Sequence, residues 1–285
     1  MTATSDWPRF GAFSYDFQRG QIDRLIASFQ AIGLVAVQLG QGLLDEAIDD
    51  PALASVTGRK LEEGGIELVG LAGYQNLVAP DPERRRRNID YIARSIELAP
   101  EFGTTVVATE TGTRNSESDW VADPGNSSAA AWDLLYEALD ELVPIAEKHG
   151  VAIALEGYVN NVLATREDLQ RILDRYCTSA LQVVLDPFNY LSAELLLEKE
   201  AVTSEFLARF RDRFVIAHLK DVDARGAEVD TPMFGDGVFP FPIYVEFLRN
   251  QRPDLPVIHE HLPFDEIPAA SERFLGYVRQ LESPA

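Results

Sequence analysis

Eight short apolar runs, several of them rich in β-branched residues, are spaced along the chain, and each is followed by a longer stretch with helical periodicity. The runs are FGAFSY (10–15), LVAVQLG (34–40), IELVGLAGY (66–74), TTVVATE (104–110), VAIALEGY (151–158), LQVVLD (181–186), RFVIAHLKD (213–221) and LPVIHEHL (255–262). Strands this uniformly apolar are buried on both faces, as in a parallel sheet covered by helices. Regular β-then-α alternation, with no linker and no break in composition, predicts one α/β domain spanning residues 1–285. Eight units predict a closed (β/α)8 barrel of the TIM type rather than an open doubly wound sheet. No G-x-G-x-x-G turn follows the first run, which argues against a dinucleotide-binding alternative. Helix ends are punctuated accordingly: EEGG and EKHG place glycine after a last turn, and TRED reads as a capping box of Thr165 with Asp168.

Charge narrows the partners. The formal net charge is −21, which repels a phosphate backbone at long range, so nucleic acid is not an expected partner. The basic run Arg84–Arg87 opens a helical stretch whose apolar face is Ile89, Ile92, Ala93 and Ile96, and is expected to be a solvated helix face. No run approaches the roughly 18 apolar residues of a membrane helix, and the first residues lack a basic-then-apolar leader pattern, so no membrane association is expected. The single cysteine, Cys177, rules out a disulfide within the chain and fits a reducing, cytoplasmic setting. Nothing in the sequence opposes a homo-oligomer.

A barrel places its chemistry at the C-terminal ends of its strands. Side chains alternate along a strand, so Ala152, Ala154, Glu156 and Tyr158 share one face of the fifth run. The same alternation groups Gln182, Val184 and Asp186 on the sixth, Phe214, Ile216, His218 and Lys220 on the seventh, and Ile258 with Glu260 on the eighth. Four consecutive strands thus aim Glu156, Asp186, His218 and Glu260 at one axis, at intervals of 30, 32 and 42 residues. Three carboxylates crowded together repel one another, and burial disfavours their charged forms. A cation relieves both costs, and two Glu, one Asp and one His suit Mn²⁺ or Mg²⁺, with Co²⁺ or Zn²⁺ as alternatives. Glu110 ends the fourth run on the same face as Val106 and Ala108. It either meets a substrate hydroxyl or pairs with Arg114. Lys220 either binds a substrate oxygen or pairs with an acidic neighbour. His259 and His261 flank Glu260 on the opposite face and are not expected as ligands; His149 precedes Gly150 at a helix end.

ALEGY, VLDPFN, AHLKDVDARG and HEH, in this order on strands five to eight, resemble the xylose isomerase-like barrel superfamily. The likeness is greatest to its sugar phosphate isomerase/epimerase branch, which includes D-tagatose 3-epimerase-like and hydroxypyruvate isomerase-like enzymes. FGDGVFPF (234–241) and the stretch ERRRRNIDYIARSIELAPEFGTTVVATETG resemble the same branch. The resemblance implies a metal held by Glu156, Asp186, His218 and Glu260. It also implies that Glu156 and Glu260 move a proton on and off the carbon beside a carbonyl, through a metal-stabilised enediolate. Asn189 stands where many such epimerases carry a substrate-orienting histidine, and Arg225 where an arginine often binds a substrate oxygen. Tyr158 occupies the place of the histidine base of the dehydroshikimate dehydratase branch, a departure that weighs against that chemistry. A three-zinc endonuclease of the superfamily needs further histidines that this chain lacks.

The expectation is therefore a divalent-metal-dependent isomerase or epimerase of a small ketose or related hydroxy-carbonyl compound. Glu156 and Glu260 are its acid/base pair, and Asn189, Lys220, Arg225, Glu110 and Tyr158 are its candidate substrate-binding residues. A lyase on the same scaffold is the alternative, with Lys220 or His261 as acid for the leaving group, and a non-catalytic sugar-binding barrel is a third. Trp7, Phe13, Tyr15, Tyr74, Trp120, Phe188 and Phe239 are candidates for an aromatic rim.

Overall fold

The computed structural model describes residues 7–225 and 228–282. Along the chain run β1 (Phe10–Phe13), α1 (Ile22–Ile32), β2 (Ala36–Leu39), α2 (Leu43–Asp49), α3 (Ala52–Glu63), β3 (Glu67–Ala72), α4 (Pro82–Phe102), β4 (Val106–Thr109), α5 (Ala129–His149) and β5 (Ala152–Leu155). Then follow α6 (Arg166–Tyr176), β6 (Leu181–Leu185), α7 (Lys199–Phe210), β7 (Phe214–Leu219), β8 (Asp223–Arg225), β9 (Glu228–Asp230), α8 (Phe241–Gln251), β10 (Val257–His259) and α9 (Ile267–Glu282). Eight strands close into a parallel barrel in the order β1-β10-β7-β6-β5-β4-β3-β2, while β8 and β9 form a separate antiparallel pair. All eight expected runs are barrel strands. The second helical region divides into α2 and α3 at Pro51, which has no N–H to continue a helix.

Two cores follow from the alternation of side chains. Outward residues such as Val37, Leu71, Val107, Ile153 and Leu185 meet the apolar faces of the helices, among them Leu25 and Phe29 of α1. Full burial of side chains of this size contributes about 1.5–3 kcal/mol each. Inward residues are sparser and smaller toward β4 and β5, where Ala108 and Ala154 pack with Val184. Phe13, Ala36, Val69, Ile216 and Ile258 fill the opposite side. Small residues there leave room above them for polar groups.

Helix ends behave as the sequence implies. Thr165 Oγ1 accepts from the Asp168 N–H, and the Asp168 carboxylate accepts from the Thr165 N–H in return. Gly150 caps α5 at φ 66°, a left-handed conformation that costs a glycine little. After α3 the left-handed residue is Gly65 rather than Gly64. The four arginines open α4, with Arg86 and Arg87 exposed and Arg84 and Arg85 half-buried. Arg84 pairs with Asp119, Arg86 with Asp90 and Glu141, and Arg87 with Glu83, while Arg85 donates to the Ala79 carbonyl. Among the described residues, no helix is long and apolar enough to cross a membrane.

The loop after β7 is organised by one buried carboxylate. Asp221 accepts from the backbone N–H groups of Val222, Gly235, Gly237 and Phe239 at 2.8–3.2 Å. A Cβ on Gly237 would stand 2.4 Å from Asp221 Oδ1, so only glycine lets the loop approach this closely.

Candidate functional site

Each candidate side chain projects from the end of a strand. Glu110, Glu156, Asp186, Lys220 and Glu260 lie one residue beyond β4, β5, β6, β7 and β10 respectively, and His218 lies within β7. Glu110, Lys220 and Glu260 line a cavity of about 1070 Å³ at the C-terminal mouth of the barrel, and Glu156, Asp186 and His218 are buried beside them.

The four expected ligands converge. One ligating atom from each of Glu156, Asp186, His218 and Glu260 lies within 4.8 Å of all the others. His218 Nδ1 faces Asp186 Oδ2 at 3.2 Å, Glu260 Oε2 at 3.3 Å and Glu156 Oε2 at 3.5 Å. Donor atoms bound to one small cation at about 2.1 Å stand roughly 3 Å apart, so these spacings suit a single ion. Lys220 is 2 % exposed and places Nζ 2.8 Å from Asp186 Oδ2 and 2.7 Å from Glu260 Oε2. Three carboxyl groups crowd around Lys220 and His218, and a divalent cation among them would relieve their mutual repulsion, so the quartet can hold a divalent metal.

The surroundings push the two glutamates apart. Burial raises the Glu156 carboxyl to about 7; His218 opposes the rise and Glu260 adds to it. Burial also acts on Glu260, but Lys220 and His218 outweigh it and hold that carboxyl well below the usual range. Glu110 is pushed up to about 8, by burial first and then by the charge of Glu156. Burial opposes the Lys220 ammonium, yet Asp186 and Glu260 keep it protonated far above neutral pH.

Asn189 Nδ2 donates to Glu156 Oε1 at 2.6 Å, and its backbone N–H donates to Asp186 Oδ1 at 3.2 Å. It thus braces two of the four ligand residues. Glu110 does not pair with Arg114. Its Oε2 accepts from Asn161 Nδ2 at 3.1 Å, whereas Arg114 turns away to the carbonyls of Val78 and Ala79. An inward-pointing carboxyl and a loop arginine that caps backbone carbonyls cannot meet. Tyr158 lies on the cavity wall, its hydroxyl accepting from Asn160 Nδ2 at 3.1 Å. The side chain of Arg225 lies outside the described residues.

Of the aromatic candidates, Phe13, Tyr15, Tyr74, Trp120 and Phe188 line the cavity. Trp7 packs against Phe274, and Phe239 is buried against Phe188. His259 is buried, its ring 2.8 Å from Ser271 Oγ, and burial lowers it to about 3, so it stays neutral. His261 is exposed on the cavity wall with Nε2 3.4 Å from Glu260 Oε1. Neither belongs to the quartet. Three further contacts carry no sequence signal of their own partners. Tyr74 donates to Glu156 Oε2 at 2.6 Å, and Gln38 of β2 reaches both Tyr74 and His218. The one sequence signal for Gln38 is an amide interrupting an apolar run, two residues after Ala36 on the inward face.

Comparison with known proteins gives this geometry a setting. No curated protein matches the chain by sequence. Among solved structures, it is similar in fold to the 3-keto-D-glucoside 4-epimerase YcjR of E. coli, at 16 % identity and a TM-score of 0.71, over 94 % of this chain and 99 % of that one. It is similar to the probable 3-DHS dehydratase AsbF of Bacillus anthracis, at 13 % identity and a TM-score of 0.71, over 94 % and 98 % of the two chains. A third similar structure is a xylose isomerase-like TIM barrel protein from Mycobacterium smegmatis in complex with magnesium. It shows 18 % identity and a TM-score of 0.69, over 95 % of each chain. The family model for the xylose isomerase-like TIM barrel matches residues 26–276, and the chain belongs to that family.

Proposed function

We propose that this barrel is a divalent-metal-dependent isomerase or epimerase acting on an uncharged ketose or related hydroxy-carbonyl compound. The observation that carries the proposal is the pair of glutamates on one cation-sized cluster beside the cavity, Glu156 with its proton affinity raised and Glu260 with its own lowered. Glu156, Asp186, His218 and Glu260 are the proposed ligands, and Mn²⁺ or Mg²⁺ suits their oxygen-rich set. When bound, the ion supplies Lewis-acid polarisation of the substrate's carbonyl and hydroxyl oxygens.

The chain's own groups do the rest. Glu260, kept ionised by Lys220, takes a proton from the carbon beside the carbonyl. Glu156, whose proton affinity lies near neutral pH, gives one back from across the cluster. Asn189 and Tyr74 each hold one oxygen of Glu156, so its carboxyl meets the substrate in a fixed orientation. Glu110 and Tyr158 meet substrate hydroxyls on the neighbouring wall, and Arg225 is proposed to reach the substrate from the loop after β7. Lys220 is neutralised by its two carboxylates and acts through them, which favours an uncharged substrate over a phosphorylated one.

A lyase reaction at the same carbon is the second reading, and His261 favours it as an exposed imidazole on the cavity wall beside Glu260. Its product, an unsaturated ketone, absorbs in the ultraviolet, and an isomerase product does not. The test is hydrogen exchange in D₂O with Mn²⁺-saturated protein over a panel of ketoses including D-fructose and D-tagatose, followed by NMR. Glu156→Gln and Glu260→Gln are each expected to slow exchange by at least about 100-fold. Exchange at the wild-type rate in both variants overturns the proposal.

A further inference from the structure

Gln38 is fully buried in β2 and touches two different members of the site. Its Nε2 donates to the Tyr74 hydroxyl at 3.2 Å, and its Oε1 lies 2.9 Å from His218 Nε2. The Tyr74 hydroxyl in turn donates to Glu156 Oε2 at 2.6 Å. The geometry sets the order of donors along this chain. Tyr74 commits its one proton to Glu156 Oε2. The Tyr74 oxygen must then accept from its other neighbour, which turns the Gln38 NH₂ toward it. The Gln38 carbonyl is left facing His218, and a carbonyl only accepts. His218 Nε2 therefore carries the ring proton. A ligating imidazole is neutral and has only one such proton, which then leaves Nδ1 as the lone pair. That is the atom facing Asp186, Glu260 and Glu156 at 3.2, 3.3 and 3.5 Å.

We propose that Gln38 is a positioning residue for the metal centre, relaying the donor order from Glu156 through Tyr74 so that His218 is held as the Nε2–H tautomer with Nδ1 free to ligate. The inference rests on the cation-binding reading of the quartet. Without an acceptor at Nε2, the ring is free to place its proton on Nδ1 and to hydrogen-bond the carboxylates directly. That arrangement withdraws the imidazole and occupies the carboxylate oxygens at once. The neighbouring wall reinforces the geometry: Phe13 packs edge-on against the ring at 5.2 Å, and Tyr74 follows β3, which pairs with the β2 strand of Gln38. Fixing the second nitrogen of a ligating histidine is the task that outer partners perform at metal centres generally.

The chain has four histidines, so the test is within reach of ¹⁵N-histidine NMR on Zn²⁺-loaded protein. The wild type is expected to show His218 protonated at Nε2 and metal-shifted at Nδ1. Gln38→Met removes the acceptor at similar size, and the Mn²⁺ dissociation constant is expected to rise about 10–100-fold. Gln38→Glu still offers an acceptor and is expected to recover affinity to within about threefold of wild type, which a loss of packing alone does not explain. Wild-type affinity in Gln38→Met, or a wild-type His218 bound through Nε2, overturns the inference while leaving the metal reading intact. A wild-type protein that binds neither ion overturns both. Should Gln38→Met fail to fold, the wild-type tautomer decides alone.

Discussion

Lys220 shows how much of this site is electrostatic balance. Its ammonium sits 2 % exposed between Asp186 and Glu260 and is part of what lets two carboxylates stay ionised away from water. Lys220→Met is therefore expected to destabilise the metal-free protein by about 3–5 kcal/mol, because it leaves buried charge without its partner. Urea unfolding in the presence of a chelator measures this, and addition of Mn²⁺ is expected to return part of the loss, since ligand that binds only the folded state stabilises it. An unchanged midpoint would show that the lysine does not balance the carboxylates. At this scale the sequence was informative only where local pattern carries the signal. Alternation along four runs was enough to place Glu156, Asp186, His218 and Glu260 on one axis. The partners of Glu156 and His218 were hidden, because Tyr74 lies 82 residues from Glu156 and Gln38 lies 180 residues from His218. No local period reaches that far; only closure of the barrel brings β2 and β3 to face β5 and β7. The Arg114 alternative for Glu110 failed for the complementary reason, since nearness in sequence did not make them neighbours in space.

The strands were legible as elements because their apolar runs are short and the helices between them are clearly periodic. The loops were not, and Asp221 explains why. In the sequence it is one more acid after HLK, yet it gathers four backbone N–H groups from residues up to 18 positions away. Asp221→Ala is expected to cost about 3 kcal/mol, since it leaves buried backbone donors unpaired. It is also expected to loosen the segment 234–241, giving faster amide exchange at Gly235 and Gly237 in particular. Exchange rates unchanged at those two amides would refute the anchoring role. Thr165→Ala, by contrast, removes only an exposed cap and is expected to cost about 1 kcal/mol.

The whole molecule combines a net charge of −21 with a cavity whose wall carries Asp16, Asp230 and Glu260. A phosphorylated ketose approaching that mouth is repelled, so it is expected to bind at least about tenfold more weakly than the uncharged sugar at low salt, with the gap narrowing as salt rises. The fold class, the strand order implied by parallel alternation and the place of the site at the strand ends all follow from patterning. The size of the cavity does not, because it depends on how the loops after β1, β4, β6 and β7 rise around the mouth. The most direct test of metal-dependent proton transfer is deuterium wash-in from D₂O, followed over a ketose panel before and after chelation. The stripped protein is expected to be silent, and about one equivalent of Mn²⁺ or Mg²⁺ per chain is expected to restore exchange at the carbon beside the carbonyl. Exchange that proceeds undiminished in the stripped protein would contradict the account.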